Sequence, residues 1–264
     1  MDVEPPPTVE LSRVEVRYGR AAPVLHELDL QVTPGRPVVV LGGNGSGKSS
    51  LLRVVAGCQA PSAGVVTGRP RHVGYVPDRF PSQLRMPARS YLRHLAAMHG
   101  SDPSEAPALL DELGFTGGLD VPMVRLSKGN AQKVALVQAL CSRAALLVLD
   151  EPWSGLDAAA AAALSSRISG AADAAVLVAD HTGTAAALPG ARVLALVGGR
   201  LAPASPPRPM VTITLLGADP LLPHLPADTA VDGDRVVVRV PVADRDALLS
   251  WALARGCGVL AVQP

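Results

Sequence analysis

The sequence predicts an α/β fold: a mostly parallel sheet with covered faces, antiparallel strands at the N-terminus, a helical insert and a small α+β appendage. Three observations predict it. Short apolar runs such as residues 38–41 and 144–149 alternate with stretches of helical spacing. One run passes through Gly42-Gly43-Asn44-Gly45-Ser46-Gly47-Lys48-Ser49, which fits G-x-x-x-x-G-K-[ST], into a helix. A proline-rich stretch, residues 202–209, separates this alternation from a second, shorter one.

In order, residues 9–16 read as an edge strand followed by Tyr18-Gly19, and 25–32 as a strand reaching the turn Thr33-Pro34-Gly35. The β-branched run 38–41 is a buried parallel strand. Residues 49–56 form a helix that stops at Gly57. The turn at Pro61-Ser62-Ala63-Gly64 leads to Val65-Val66, and 73–76 is another short strand. From 81 to 113 the pattern is helical, with Tyr91, Leu92, Leu95, Ala96 and Met98 on one face and a second helix, 104–113, closed by Gly114. Leu126-Ser127-Lys128-Gly129-Asn130 opens a further helix running to 140. The strand 144–149 ends in Asp150-Glu151-Pro152, and Asp157 is placed to cap a helix reaching Ile168. Strand 174–179 ends at Asp180-His181, and 191–197 runs into Gly198-Gly199-Arg200. Beyond the proline linker, 211–216, 235–240 and 258–262 are strands and 243–255 is a helix with Trp251 in its core face. The expected domains are 1–205, with the helical insert at about 79–140, and 206–264; the smaller one docks on the larger or on a partner.

The net charge of +1 gives no electrostatic reason to expect nucleic acid. Cys58, Cys141 and Cys257 have no metal spacing and read as small core residues in a reducing compartment. Glu4-Pro5-Pro6-Pro7 reads as a disordered or extended start rather than a signal peptide, and no apolar run is long enough to span a bilayer. The expected location is cytoplasmic.

The glycine loop carries the chemistry. A strand turning through glycines into a helix aims backbone N–H groups and the positive end of the helix dipole at one spot, which suits a polyphosphate. Lys48 then reaches the β- and γ-phosphates, and the Ser49 hydroxyl holds Mg²⁺. Lysine usage supports this, because the chain writes nearly all its positive charge as arginine; its lysines are Lys48, Lys128 and Lys133. Asp150, ending an apolar strand, holds Mg²⁺ through its water shell, and Glu151 takes the proton from an attacking water. His181 ends the next strand, where open α/β sheets place their ligands, and touches the γ-phosphate. Ser127 opens a second helix terminus able to bind an anion.

The glycine loop, Leu126-Ser127-Lys128-Gly129-Asn130, Asp150-Glu151, Ser154-Gly155-Leu156-Asp157 and His181 occur in one order. Together they resemble the ATP-binding cassette ATPases over residues 9–201. The resemblance implies the P-loop NTPase fold, with ATP and Mg²⁺ as cofactors. Gly42, Gly43, Asn44, Gly45, Ser46, Gly47, Lys48, Ser49 and Ser50 would cradle the nucleotide, with Tyr18 stacking on the adenine. It also implies a head-to-tail dimer, in which Ser127 and Gly129 of one cassette contact the γ-phosphate bound by Lys48 of the other and Asp157 runs along the seam. The helical insert docks an integral membrane permease subunit, which puts the chain on the cytoplasmic face of the membrane. Two departures stand out. The family's Leu-Ser-Gly-Gly-Gln is Leu-Ser-Lys-Gly-Asn, and its loop glutamine, a Mg²⁺ ligand, is Asp78. The first departure and the appended unit resemble bacterial exporters of drug, antibiotic or lipid type. A soluble non-transport ATPase and a degenerate regulatory subunit are the alternatives, and homodimer or heterodimer stays open, with a homodimer expected.

Overall fold

The computed structural model describes residues 9–78, 80, 83–204, 210–217, 225 and 229–263. The chain divides into two compact units, Met1–Pro206 and Pro207–Pro264.

In the first unit, β1 (Val9–Val16), β2 (Leu25–Val32) and β4 (Ala63–Thr67) form an antiparallel sheet in the order β2-β1-β4. A second sheet has six strands in the order β5-β6-β7-β3-β8-β9. Its members are β3 (Val38–Leu41), β5 (Val73–Val76), β6 (Leu146–Asp150), β7 (Ala175–Asp180), β8 (Arg192–Val197) and β9 (Arg200–Pro203). All pairings are parallel except β8–β9.

The period-2 geometry of the strands sorts the core. Val38 and Val40 pack with α1 (Lys48–Ala56) and the antiparallel sheet, whereas Val39 faces the opposite layer. Leu146 and Val148 against Leu147 and Leu149 repeat the division on β6. The opposite layer contains α2 (Ala88–His99), α3 (Ala106–Glu112), α4 (Lys128–Cys141) and α5 (Ala158–Ser169). Each fully buried Val or Leu contributes about 1.5–3 kcal/mol, which fixes the strand register that the site depends on.

In the second unit, β10 (Met210–Leu216), β11 (Thr229–Asp232), β12 (Arg235–Pro241) and β13 (Gly258–Gln263) form an antiparallel sheet in the order β11-β12-β10-β13. With α6 (Arg245–Leu253) it encloses a separate buried cluster built on Ile213, Leu215, Val236 and Val238. Trp251 packs on that cluster, and the Arg255 guanidinium lies 4.6 Å from its ring centre.

Five expectations are corrected. Residues 9–16 form the middle strand of the order β2-β1-β4 rather than an edge, because β1 pairs with β2 on one side and with β4 on the other. Residues 202–203, expected to start the linker, end strand β9, because Gly198 and Gly199, at φ +54° and +73°, turn the chain back into an antiparallel pair. The remainder of the expected linker, 205–209, and the start at Glu4–Pro7 lie outside the described residues. Strand β11 was not expected at all. Cys58 is exposed, not core. Met98 is 73% exposed, because the inward stripe of α2 runs through Leu92, Leu95 and Ala96, and position 98 falls outside that 3.6-residue period. Among the described residues no helix is long and apolar enough to cross a membrane.

Candidate functional site

Four neighbouring strands end at one edge of the six-stranded sheet. The glycine loop follows β3, Asp78 follows β5, Asp150 and Glu151 end β6, and His181 follows β7. The register pairs Leu41 with Asp180 and Asp150 with Ala179, so the four loops open side by side. They enclose a cavity of about 470 Å³ walled by Gly43 to Ser50, Asp78, Asp150, Glu151, His181 and also by Val24 and Ser154.

The loop needs its glycines for space and for dihedral angle. A Cβ on Gly42 would lie 2.7 Å from Ser46 Oγ and 2.9 Å from the Leu196 carbonyl. Gly47 sits at φ +104° against Leu25. Gly47 also caps α1 with no side-chain hydrogen bond and no acidic residue in the first turn. The first-turn N–H groups therefore face the cavity without a cap, as an anion site requires. Helices α4 and α5 are different. Ser127 Oγ accepts from Asn130 N–H at 3.2 Å, and Asp157 Oδ1 from Ala160 N–H at 2.9 Å. The Ser127 terminus is thus already capped by its own hydroxyl.

Lys48, 7% exposed, donates to the carbonyls of Gly42 (2.6 Å) and Gly43 (3.3 Å) and lies 3.5 Å from Glu151 Oε1. The other Glu151 oxygen accepts from His181 N–H at 3.3 Å and meets His181 Nδ1 at 2.6 Å. A carboxylate only accepts, so this second contact uses the Nδ1-protonated ring and leaves Nε2 for another partner. Lys48, Glu151 and His181 form one continuous polar chain across the cavity.

Glu151 itself sits at φ +51°, a left-handed conformation that costs a non-glycine residue about 1–2 kcal/mol. It is held there by bonds from its N–H to the Ala179 carbonyl (3.0 Å) and from Ser154 N–H to its carbonyl (3.0 Å). The strain buys a carboxylate aimed at Lys48.

Asp150 is 2% exposed, and its Oδ1 is buried with no hydrogen-bond partner. Burial pushes its carboxyl above the usual range; the Ser49 hydroxyl opposes this, while the charges of Asp78 and Glu151 add to it. An orphan carboxylate oxygen beside a hydroxyl, with an exposed second carboxylate near, is a donor set that suits a hard divalent cation such as Mg²⁺. Ser46 Oγ is also buried and unpartnered in the same wall.

Ser127, Gly129, Asp157 and Tyr18 do not line this cavity. Ser127 and Asp157 are exposed, at the starts of α4 and α5. Tyr18, 46% exposed, bonds Ser50 Oγ (2.9 Å) and donates to Gln59 (3.0 Å). Asp180 had no role assigned. Buried, it accepts from Thr182 and from Ala185 N–H (2.7 Å), which braces the turn that carries His181. Gln138 donates to the Tyr75 carbonyl (3.0 Å) and ties α4 to the strand before Asp78.

A family model described as "ABC transporter" matches residues 25–154. The zinc import ATP-binding protein ZnuC of Pseudomonas putida is 39% identical over 150 residues, which is 56% of this chain and 58% of the relative. The protein of the same name in Pseudomonas fluorescens is 39% identical over 161 residues, 61% of each. The chain thus spans 58–61% of the length of these curated relatives. A solved ATP-binding subunit of an ABC transporter superposes with a TM-score of 0.66 at 27% identity, over 75% of this chain and 89% of that one. A putative cobalt transport ATP-binding protein gives 0.65 over 88% and 92%, at 22% identity, and speaks to fold alone. The chain thus has the P-loop NTPase fold, and it is similar to ATP-binding subunits of ABC transporters.

Proposed function

We propose that the chain is the ATP-hydrolysing subunit of a membrane transporter and works by closing head to tail on ATP with a second copy. The observation that carries this reading is the convergence of Lys48, Glu151, His181 and the orphan Asp150 oxygen on one cavity at an uncapped helix start. In the proposed reaction the N–H groups of residues 43–49 bind the phosphates. Lys48 exchanges Glu151 for the γ-phosphate, and Ser49, Asp150 and Asp78 hold Mg²⁺, which supplies charge neutralisation at the transferring phosphoryl group. Glu151, released from Lys48, accepts a proton from water, with His181 orienting it. That Ser127, Gly129 and Asp157 lie off this cavity supports assigning them to the ATP of the partner cassette. Tyr18 stays assigned to the adenine, held in place through Ser50.

The partner that completes the machine is an integral membrane permease subunit, with this chain peripheral on the cytoplasmic face. The Leu-Ser-Lys-Gly-Asn variant and the appended unit favour export; the zinc import for which the Pseudomonas relatives are named favours import. Co-purification with the membrane chain followed by reconstituted transport in both orientations assigns the direction. The core of the proposal is tested by Mg²⁺-dependent ATPase activity and by size-exclusion chromatography of Glu151→Gln with ATP. An inactive wild type that binds ATP would make the chain a regulatory subunit. A variant that stays monomeric with ATP would remove the dimer.

A further inference from the structure

Helix α4 grips two other segments through its first two turns. A Cβ on Gly129 would lie 2.8 Å from the Gly155 carbonyl, so the backbone of the 151–157 loop rests directly on the helix. Asn130, on the next position, accepts from Thr116 N–H (3.2 Å) and donates to Thr116 Oγ1 (3.3 Å). One turn further on, Lys133 is 6% exposed. Its ammonium donates to the Gly114 carbonyl (2.8 Å) and contacts Asp157 Oδ2 at 3.4 Å. Gly114, at φ +66°, is the point where α3 of the insert ends.

We propose that Lys133 is a positioning residue: its buried ammonium ties the end of insert helix α3, at the Gly114 carbonyl, to the Asp157 carboxylate, so that the insert and the 151–157 loop move as one body.

A buried ammonium is costly unless partnered, and a methionine would fill the same space without that cost. The charge is therefore kept for its two partners. The two bonds also differ in kind. Gly114 offers a backbone carbonyl that no ligand competes for, and the Asp157 side chain is 63% exposed at the proposed dimer seam. The Asp157 carboxyl is held below the usual range, first by the Ala160 N–H and then by Lys133, so it stays ionised and available to the ammonium. Lys133 and Gly114 both belong to the insert, so displacing it must either break the Lys133–Asp157 contact or carry Asp157 with it. Asn130, the departure from the family's glutamine, spends its amide on the same turn and leaves the clamp with two points of attachment.

The inference rests on the ATP-closed dimer proposed above. Steady-state ATPase assays on full-length Lys133→Met, Lys133→Arg, Asp157→Asn and Lys133→Met/Asp157→Asn test it. The expected result is a fall in kcat of about tenfold for Lys133→Met with KM for ATP within about twofold, and recovery of most of the rate in Lys133→Arg. Asparagine caps as well as aspartate, so Asp157→Asn keeps the helix start and removes the charge. It should lower kcat in the parent chain and add nothing in the Lys133→Met background. Wild-type kcat in Lys133→Met, or independent losses in the double variant, would overturn the inference. If Lys133→Met loses its cooperative melt, unchanged kcat in Asp157→Asn overturns it. Failure of the parent reading is separate: Glu151→Gln would then form no ATP-dependent dimer, whatever Lys133 does.

Discussion

Two of the chain's three lysines are buried, and they hold opposite ends of one short loop. Lys48 lies 3.5 Å from Glu151 at its start, and Lys133 lies 3.4 Å from Asp157 at its finish. The pairs look alike in distance and differ in everything around them. Glu151 is 12% exposed inside the phosphate-loop cavity, whereas Asp157 is 63% exposed and outside it. The other Lys48 contacts are carbonyls of its own glycine loop; the other Lys133 contact is the end of a packed helix. In the proposed function the Lys48–Glu151 pair is a placeholder to be exchanged when phosphate arrives, and in the further proposal Lys133 is a strut. One residue type serves both, because a compact point charge on a long stem reaches a carbonyl and a carboxylate together.

The largest way to break this comparison is Glu151→Gln. The glutamine cannot take a proton from water, so hydrolysis should fall by about 10²–10⁴. Lys48 no longer has an ion pair to give up, so ATP should bind at least as tightly as to the parent. A binding isotherm and single-turnover hydrolysis on the same preparation check both halves. Weakened ATP binding would mean that Glu151 assists the lysine and does not compete with phosphate for it.

Next in size is a test of which site the strut end serves. Gly129→Asp puts a carboxylate, and a Cβ 2.8 Å from the Gly155 carbonyl, at the start of α4. Alone it should abolish hydrolysis with ATP affinity at the Lys48 loop retained, because a negative charge there repels a partner's γ-phosphate. Mixed with Lys48→Ala chains, it should regain activity, since both lesions then fall in one composite site and leave the other whole. Mixtures that stay dead would place the two lesions in separate sites and remove the trans arrangement.

The placeholder end was legible in the sequence and the strut end was not, for a physical reason. A phosphate loop is local: the residues 42–49 contain the strand exit, the glycines and the lysine, so spacing alone announces it. Asp150, Glu151 and His181 could be read because strand ends in a parallel sheet converge by topology. Lys133, by contrast, meets its partners 19 and 24 positions away in sequence, and Gln138 meets Tyr75 across 63. No pattern encodes such pairs. The left-handed backbone at Glu151 is equally silent in sequence, since a glutamate carries no mark of its φ. For the fold, apolar runs such as β3 announced themselves even at four residues, whereas β9, with Arg200 and Pro203, and β11, between Thr229 and Asp232, did not.

Asp78→Gln should have a smaller effect. The Lys48 end carries a third carboxylate that the Lys133 end lacks, and its charge adds to the upward push on Asp150. Asp78 is shorter by one methylene, about 1.5 Å of reach, than the glutamine of the ATPases that the sequence resembles. Glutamine there would remove a like charge beside Asp150 and extend an amide carbonyl toward the cation. A rise in ATPase activity of about two- to fivefold, or a lower Mg²⁺ requirement, is expected and is read from a magnesium titration at saturating ATP. An unchanged titration would make Asp78 a bystander on its loop.

The smallest effect should come from removing residues 207–264. Both lysines, both carboxylates and every residue that walls the cavity belong to the unit ending at Pro206. Among the described residues the buried clusters of that unit draw on residues from Val9 to Leu201, and the cluster of the second unit draws on residues from Val211 to Cys257. A cut between the units therefore keeps each of these clusters on one side, and the truncated chain should melt cooperatively and bind ATP within about twofold of the full chain. Dimer and membrane-partner affinity are where a change belongs. Loss of the cooperative melt would mean that the strut end, and the insert it ties down, depend on the second unit for their stability. The comparison between the two lysines would then have to be made on the whole chain rather than on the cassette.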